Sequence, residues 1–390
     1  GRISEKYIPS IAASLYFLVV LTLLPLLLVF LMYYLRDIVF IPGTMINLLQ
    51  IFLSSFILLL PFCLLSGFNF TLLSYILSRD YGRNLISKAY SWESTGSIVG
   101  GILFNLVLIW FLQTFESISL LVAVLFGVLL YISVRWKYRV LMIILPLLLS
   151  GVVVLNAMVD LDRVTRSFLF KGQQLEYFKS TPYGNIAVTK NQGQLNFYEN
   201  NLLLFSSNQP TENEETVHYT MIQHRDPDRV LLLSGGTPGV VEEIMKYSVT
   251  QVDYVEINPW LIRAVERYSG IYNNSALQVI NKDGRLYLKR SEERYDVALI
   301  NLPEPSTVQM NRFYTRQFYE ELKNNLTKDA VIGFSVSGSS NYMSEESREL
   351  HSSLYNTLKT VFDHVIVVPG NKNYFIASDN PLTHQIAEAV

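Results

Sequence analysis

RVLLLSGGTPGVVEEIMKY, residues 229–247, sets the rhythm of everything that follows it. It opens with an unbroken apolar run, the mark of a strand buried on both faces. It then passes through a glycine-rich turn and continues with apolar residues at helical spacing. Gly235, Gly236 and Gly239 let backbone approach a ligand closely, and the helix start behind them favours negative or electron-rich groups. Pro238 stands inside the turn, and no carboxylate occurs between Gly235 and Gly239.

The same alternation recurs downstream. "QVDYVEIN", "LQVIN", "YDVALIN", "AVIGFSV", "HVIVVPG" and "NYFIASD" read as strands. Helices are expected over 240–246, from Pro259, through "RQFYEELKNNL" and from Glu345. Such βα units predict a mostly parallel, doubly wound (Rossmann-like) α/β sheet with its ligand crevice at the carboxyl ends of the strands. Glu256 ends the second of these strands, about twenty residues past the turn, where a carboxylate accepts hydrogen bonds from a ribose diol. Asp283, followed by Gly284, ends the third, where an adenine amino group could meet it. Gly235, Gly236, Gly239, Glu256, Asp283 and Gly284 together predict an adenosyl-binding corner. Ahead of this region, residues 173–207 are rich in Tyr, Phe, Val and Thr, with turn signals at Thr181-Pro182, 191–193 and 199–201. They predict a small antiparallel β unit of four short strands.

The first 160 residues are of another kind. The whole chain is 50% hydrophobic and only 16% charged, against roughly 25% charged in ordinary globular domains, and the deficit lies almost wholly in this part. Residues 11–35 carry no charge, enough to cross a bilayer core that needs about 20 residues. Further spans are expected at 48–65, 95–112, 118–134 and 140–159, with "SGFNFTLLSYILS" after the second as an interfacial or re-entrant continuation. Five spans result. Gly96 and Gly100 form a small-xxx-small pair, expected to pack within the bundle. Glu93, just ahead of the third span, is expected as a helix-start carboxylate. Basic residues gather in the N-terminal segment (Arg2, Lys6), in "RDYGRNLISK" and in "RWKYR". By the positive-inside bias these segments face the cytoplasm, so five spans deliver the C-terminal domain to the extracytoplasmic side.

Other functional classes drop out on composition. A net charge of −2 lacks the basic footprint of a nucleic-acid binder. One cysteine, Cys63, excludes a disulfide framework within the chain, and the five histidines show no metal-ligand spacing. No metal site is expected. The domain plan is a transmembrane helical region over 1–160, a small β domain over 161–225 and a Rossmann-like domain over 226–390.

In order and spacing, "TPYGNIAV", "LLFSS", "HYTMIQH", "LLLSGGTPGVVEEIMKY", "VDYVEIN", "DGRLYL", "YDVALINLPEP" and "NRFYTRQFYEELKNNL" resemble the spermidine synthase (polyamine aminopropyltransferase) family. The likeness runs from Gln173 to Val390 and is fairly specific as a series, although no single piece is decisive. "AYSWESTGSIVGGIL" is similar to bacterial membrane forms in which several spans precede such a domain, which implies the bacterial inner membrane. The resemblance implies transfer of an aminopropyl group from decarboxylated S-adenosylmethionine, or use of another adenosyl compound, with acids gripping a cationic amine and one of them accepting its proton.

The amine side departs from the family pattern. Where the family's turn reads G-G-G-D-G-G, Thr237 stands for the aspartate and Pro238 for a glycine. Its D-x-x-D-P appears as Asn301-Leu302-Pro303-Glu304-Pro305, so an amide occupies the position of the proposed base. Its Y-H-E is His218-Tyr219-Thr220, and its glutamine before "FSS" is Leu204. Only Glu304 remains of the acids that would hold a diamine, and desolvating a dication without carboxylates costs several kcal/mol. The expectation is a catalytically degenerate, membrane-anchored relative, a binding or scaffolding subunit beside other membrane or extracytoplasmic proteins. The alternative is a transferase with an altered amine acceptor and Glu304 or His218 as base.

Overall fold

The computed structural model describes residues 11–40, 47–82, 84–235, 238–269, 274–338 and 343–386. The backbone divides into two compact units, Gly1–Asn185 and Ile186–Val390.

Among the described residues, the first unit holds five helices long and apolar enough to cross a membrane. They are α1 (Ile11–Val39), α2 (Leu48–Asp80), α3 (Ile86–Leu103), α4 (Thr114–Arg135) and α5 (Arg139–Met158). Leu15 and Val19 of α1, Val122, Phe126 and Leu129 of α4, and Leu141 and Leu145 of α5 form its core. α2 packs through its second half, where Asn69, Leu72, Ser74 and Ile76 are buried and Ser14 Oγ donates to Asn69 Oδ1 at 3.0 Å.

Three expectations are corrected here. Residues 66–78 are no re-entrant continuation, because α2 runs unbroken over Leu48–Asp80. A glycine with apolar helix on both sides lowers helix stability by only about 1 kcal/mol and does not stop it. α3 starts at Ile86, whose N–H is taken by Asn84 Oδ1 at 3.0 Å, so Glu93 lies two turns inside the helix. Among the described residues the Gly96–Gly100 pair packs against nothing, since a Cβ at either would meet no atom within 4 Å. α3 is held near its start, where Tyr90 and Phe70 rings lie 4.6 Å apart, and none of its residues is buried. It continues through a π turn at Phe104–Leu108, where Asn105 Nδ2 takes the Gly101 carbonyl at 2.8 Å and competes with the backbone ladder.

A short helix, α6 (Leu161–Ser167), and strand β1 (Gln174–Thr181) complete this unit. Asp162 accepts the Phe115 N–H at 3.0 Å and so caps the start of α4; burial raises its carboxyl above the ordinary range. Arg166 lies between the rings of Tyr33 and Phe178, 4.3 and 4.8 Å from their centroids.

The second unit begins within β2 (Gly184–Asn191), which pairs antiparallel with β3 (Gln194–Glu199), itself paired with β4 (Leu202–Ser206). α7 (Pro210–Met221) leads into the α/β region. There, β5 (Arg229–Leu233), β6 (Gln251–Val255), β7 (Leu277–Ile280), β8 (Tyr295–Ile300), β9 (Leu326–Ser337), β10 (His364–Val368) and β11 (Lys372–Ser378) form one sheet in the order β10-β11-β9-β8-β5-β6-β7. β9, β8, β5, β6 and β7 are parallel, and β11 and β10 close one edge antiparallel. The helices that cross over it are α8 (Pro238–Ile244), α9 (Pro259–Ser269), α10 (Gly284–Arg290), α11 (Val308–Asn311), α12 (Arg316–Lys323) and α13 (Glu345–Lys359). β5 is flanked by β6 on one side and β8 on the other. The chain direction around the sheet therefore reverses between β5 and β8, and a crevice opens beyond their carboxyl ends.

Candidate functional site

The turn after β5 is built on two left-handed residues, Ser234 (φ 60°) and Gly235 (φ 59°). A left-handed serine costs roughly 1–2 kcal/mol, so its bonds must hold it there. Its N–H donates to the Val255 carbonyl at 2.9 Å and its Oγ to Glu256 Oε2 at 2.7 Å. At Gly235 any side chain is excluded, because a Cβ would stand 2.6 Å from the Asn301 carbonyl oxygen. Asn301 fastens the other flank. Its Nδ2 donates to the Gly235 carbonyl and its N–H to the Leu233 carbonyl, both at 3.0 Å. Gly236 and Thr237 lie outside the described residues.

Glu256, read as the ribose acid, is a second fastening. It is 4% exposed and accepts the Asn258 N–H at 2.9 Å besides the Ser234 hydroxyl. Burial raises its carboxyl above the ordinary range, and these hydrogen bonds only partly oppose the rise. Asp283 caps α10 by accepting the Leu286 N–H at 3.0 Å and is ion-paired with Arg312. Phe313, 5% exposed, closes on Gly284, where a Cβ would lie 3.4 Å from both Phe313 Cε1 and Leu233 Cδ2. The Asn213 side chain lies against Gly239. Arg312, Phe313 and Asn213 thus lie against Asp283, Gly284 and Gly239 of the predicted corner.

A cavity of about 550 Å³ opens beside it, at the carboxyl ends of β5, β8 and β9. Ser234, Gly235, Asn301, Glu304 and Ser337 line it, facing Leu202–Phe205 of β4 and the first turns of α7. Among the predicted residues, the structure brings Gly235, Asn301 and Glu304 together on this wall. Glu256, Asp283, Gly284 and Gly239 are not among the described lining residues. His218 also lies elsewhere. Its Nδ1 meets Tyr247 Oη at 2.8 Å and its Nε2 meets Glu243 Oε2 at 2.9 Å, so it ties α7 to α8 with both ring nitrogens engaged. Burial pushes the Glu243 carboxyl up, but hydrogen bonds from Lys246 and His218 outweigh it and hold it below its ordinary value.

Sequence reasoning missed three charged residues on the wall: Glu199, Glu212 and Lys372. Glu199 accepts from Asn258 Nδ2 at 2.9 Å, and burial raises its carboxyl above the ordinary value. Glu212 and Lys372 form an ion pair. Glu304 accepts the Ser337 N–H. Glu199, Glu212 and Lys372 belong to a hairpin end, a helix start and the start of an antiparallel strand of the sheet, and no short motif links such elements.

Residues 209–382 match the family described as the Spermine/spermidine synthase domain. The polyamine aminopropyltransferase of Leptospira interrogans is 27% identical over 301 residues, covering 71% of this chain and 59% of that protein. That of Sulfurisphaera tokodaii is 30% identical over 161 residues, covering 39% of this chain and 51% of that protein. These alignments span less than two thirds of the relatives' own length. A crystal structure of spermidine synthase in complex with the transition state analogue AdoDATO superposes with a TM-score of 0.48 at 20% identity, covering 53% of this chain and 74% of that one. Residues 209–382 are therefore similar to the spermine/spermidine synthase family.

Proposed function

We propose that this chain is a membrane-anchored, spermidine-synthase-like binding subunit that does not carry out aminopropyl transfer. The observation that carries this reading is the Asn301 amide. At the position where the family resemblance asks for a proton-accepting carboxylate, Nδ2 is committed to the Gly235 carbonyl at 3.0 Å, and an amide takes no proton near neutral pH. The engagement of Asp283 by Arg312 and the closeness of Phe313 to Gly284 support the same reading. Membrane anchoring is supported by the five long apolar helices. The positive-inside bias favours an extracytoplasmic C-terminal domain, with other membrane or extracytoplasmic proteins as its partners.

Incubating the detergent-solubilised protein with decarboxylated S-adenosylmethionine and putrescine, and following spermidine and methylthioadenosine by mass spectrometry, tests it. No product above a buffer control is expected; product at any enzyme-dependent rate overturns the reading. One observation favours a second reading, an active transferase for a less cationic acceptor. Glu304 lines the cavity, and as a base it would make product formation vanish in Glu304→Gln.

A further inference from the structure

The charged groups at the β9 end of the cavity include an ammonium beside the carboxylates. Lys372 stands directly across from Ser337 in the β9–β11 register, and the Ser337 N–H is the group that addresses Glu304. An ammonium and a carboxylate therefore flank one strand end, and both line the cavity. Lys372 is paired with Glu212, also on the wall, but the two side chains are 38% and 37% exposed. The ammonium carries three donors, so it can accept a second carboxylate from the cavity. A diamine drawn towards Glu304 comes near this ammonium, whose charge Glu212 offsets in part, and like charges at close range are unfavourable. A molecule carrying ammonium and carboxylate on adjoining atoms meets complementary charge at both.

We propose that this subsite takes an amine that bears a carboxylate, an amino acid with a charged side-chain amine, with the carboxylate on Lys372 Nζ and an ammonium on Glu304. The proposal rests on the reading of the domain as a binding module and names its ligand class. It differs from a site for polyamines by one group, the carboxylate.

Ornithine and putrescine differ by that group alone. Calorimetric titration of the full chain in detergent should give at least tenfold tighter binding of ornithine. Lys372→Met should remove the preference, Lys372→Arg should keep most of it, and Glu212→Gln, which frees the ammonium, should tighten ornithine at least twofold. Putrescine binding as tightly as ornithine would overturn the proposal, as would a preference untouched by Lys372→Met. Should Lys372→Met fail to fold, an ornithine affinity that does not rise in Glu212→Gln overturns it equally. If neither compound binds, the ligand class is wrong, while the loss of aminopropyl transfer still stands or falls on the product assay.

Discussion

At residue 301 a single atom separates a fastening from a repulsion. Asn301→Asp would replace the N–H that serves the Gly235 carbonyl with an oxygen facing an oxygen. We expect a loss of about 1–3 kcal/mol, read as a lower midpoint in chemical denaturation, with no gain of transfer activity. Gly235→Ala should cost more than this, because it adds a clash with the Asn301 carbonyl to a left-handed backbone, and about 1–2 kcal/mol attaches to the second alone. Glu256 gives a pH signature. Its folded-state value is raised by burial, so its proton-linked contribution is fully present below the ordinary carboxyl value and is lost as pH rises through the folded value. Stability measured against pH should therefore fall more steeply over that window in the native protein than in Glu256→Gln. Equal slopes would mean that the buried carboxyl does not titrate as described.

Among the elements, α10 offers a separable test. Asp283 both caps it and pairs with Arg312. Asparagine caps about as well as aspartate, whereas alanine costs about 1 kcal/mol. Asp283→Asn should thus retain most of the stability that Asp283→Ala loses, and equal losses would assign the effect to the ion pair. Elements with a strong period were legible in the sequence: Val230–Leu233 and Val297–Ile300 read as strands because both their faces are buried. α7 escaped because its polar residues surround it, and it is recognisable only once Val217 and Met221 are seen in the core. α2 is read from the sequence as a span over 48–65 with an interfacial or re-entrant continuation, yet glycine in a long apolar helix does not stop it, and it runs on to Asp80. In the site, the positions of Asn301 and Glu256 were legible but their partners were not. The Ser234–Glu256 and Asn301–Gly235 bonds join different strands, and such pairings arise only when the sheet order is set.

Over the whole molecule, the arrangement of basic residues is a statement about sidedness. Arg79 and Lys88 at the facing ends of α2 and α3, and Arg135, Lys137 and Arg139 at the junction of α4 and α5, contrast with the weakly charged connections on either side. A phosphatase reporter joined at Val390 should be active and a fluorescent cytoplasmic reporter at the same place dim; the opposite pattern would reverse the orientation. One helix within this frame is out of proportion. At about 1.5 Å per residue, the 33 residues of α2 rise about 50 Å, against a hydrocarbon core of about 30 Å. On the membrane-anchored reading, even a tilt of about 40° would accommodate only about 26 residues within the core, leaving roughly two turns among the headgroups or beyond them. On that reading bilayer thickness would be a variable the protein feels. In thinner lipid α2 would have to lean further or extend further out, with the Ser14–Asn69 hydrogen bond still joining it to α1.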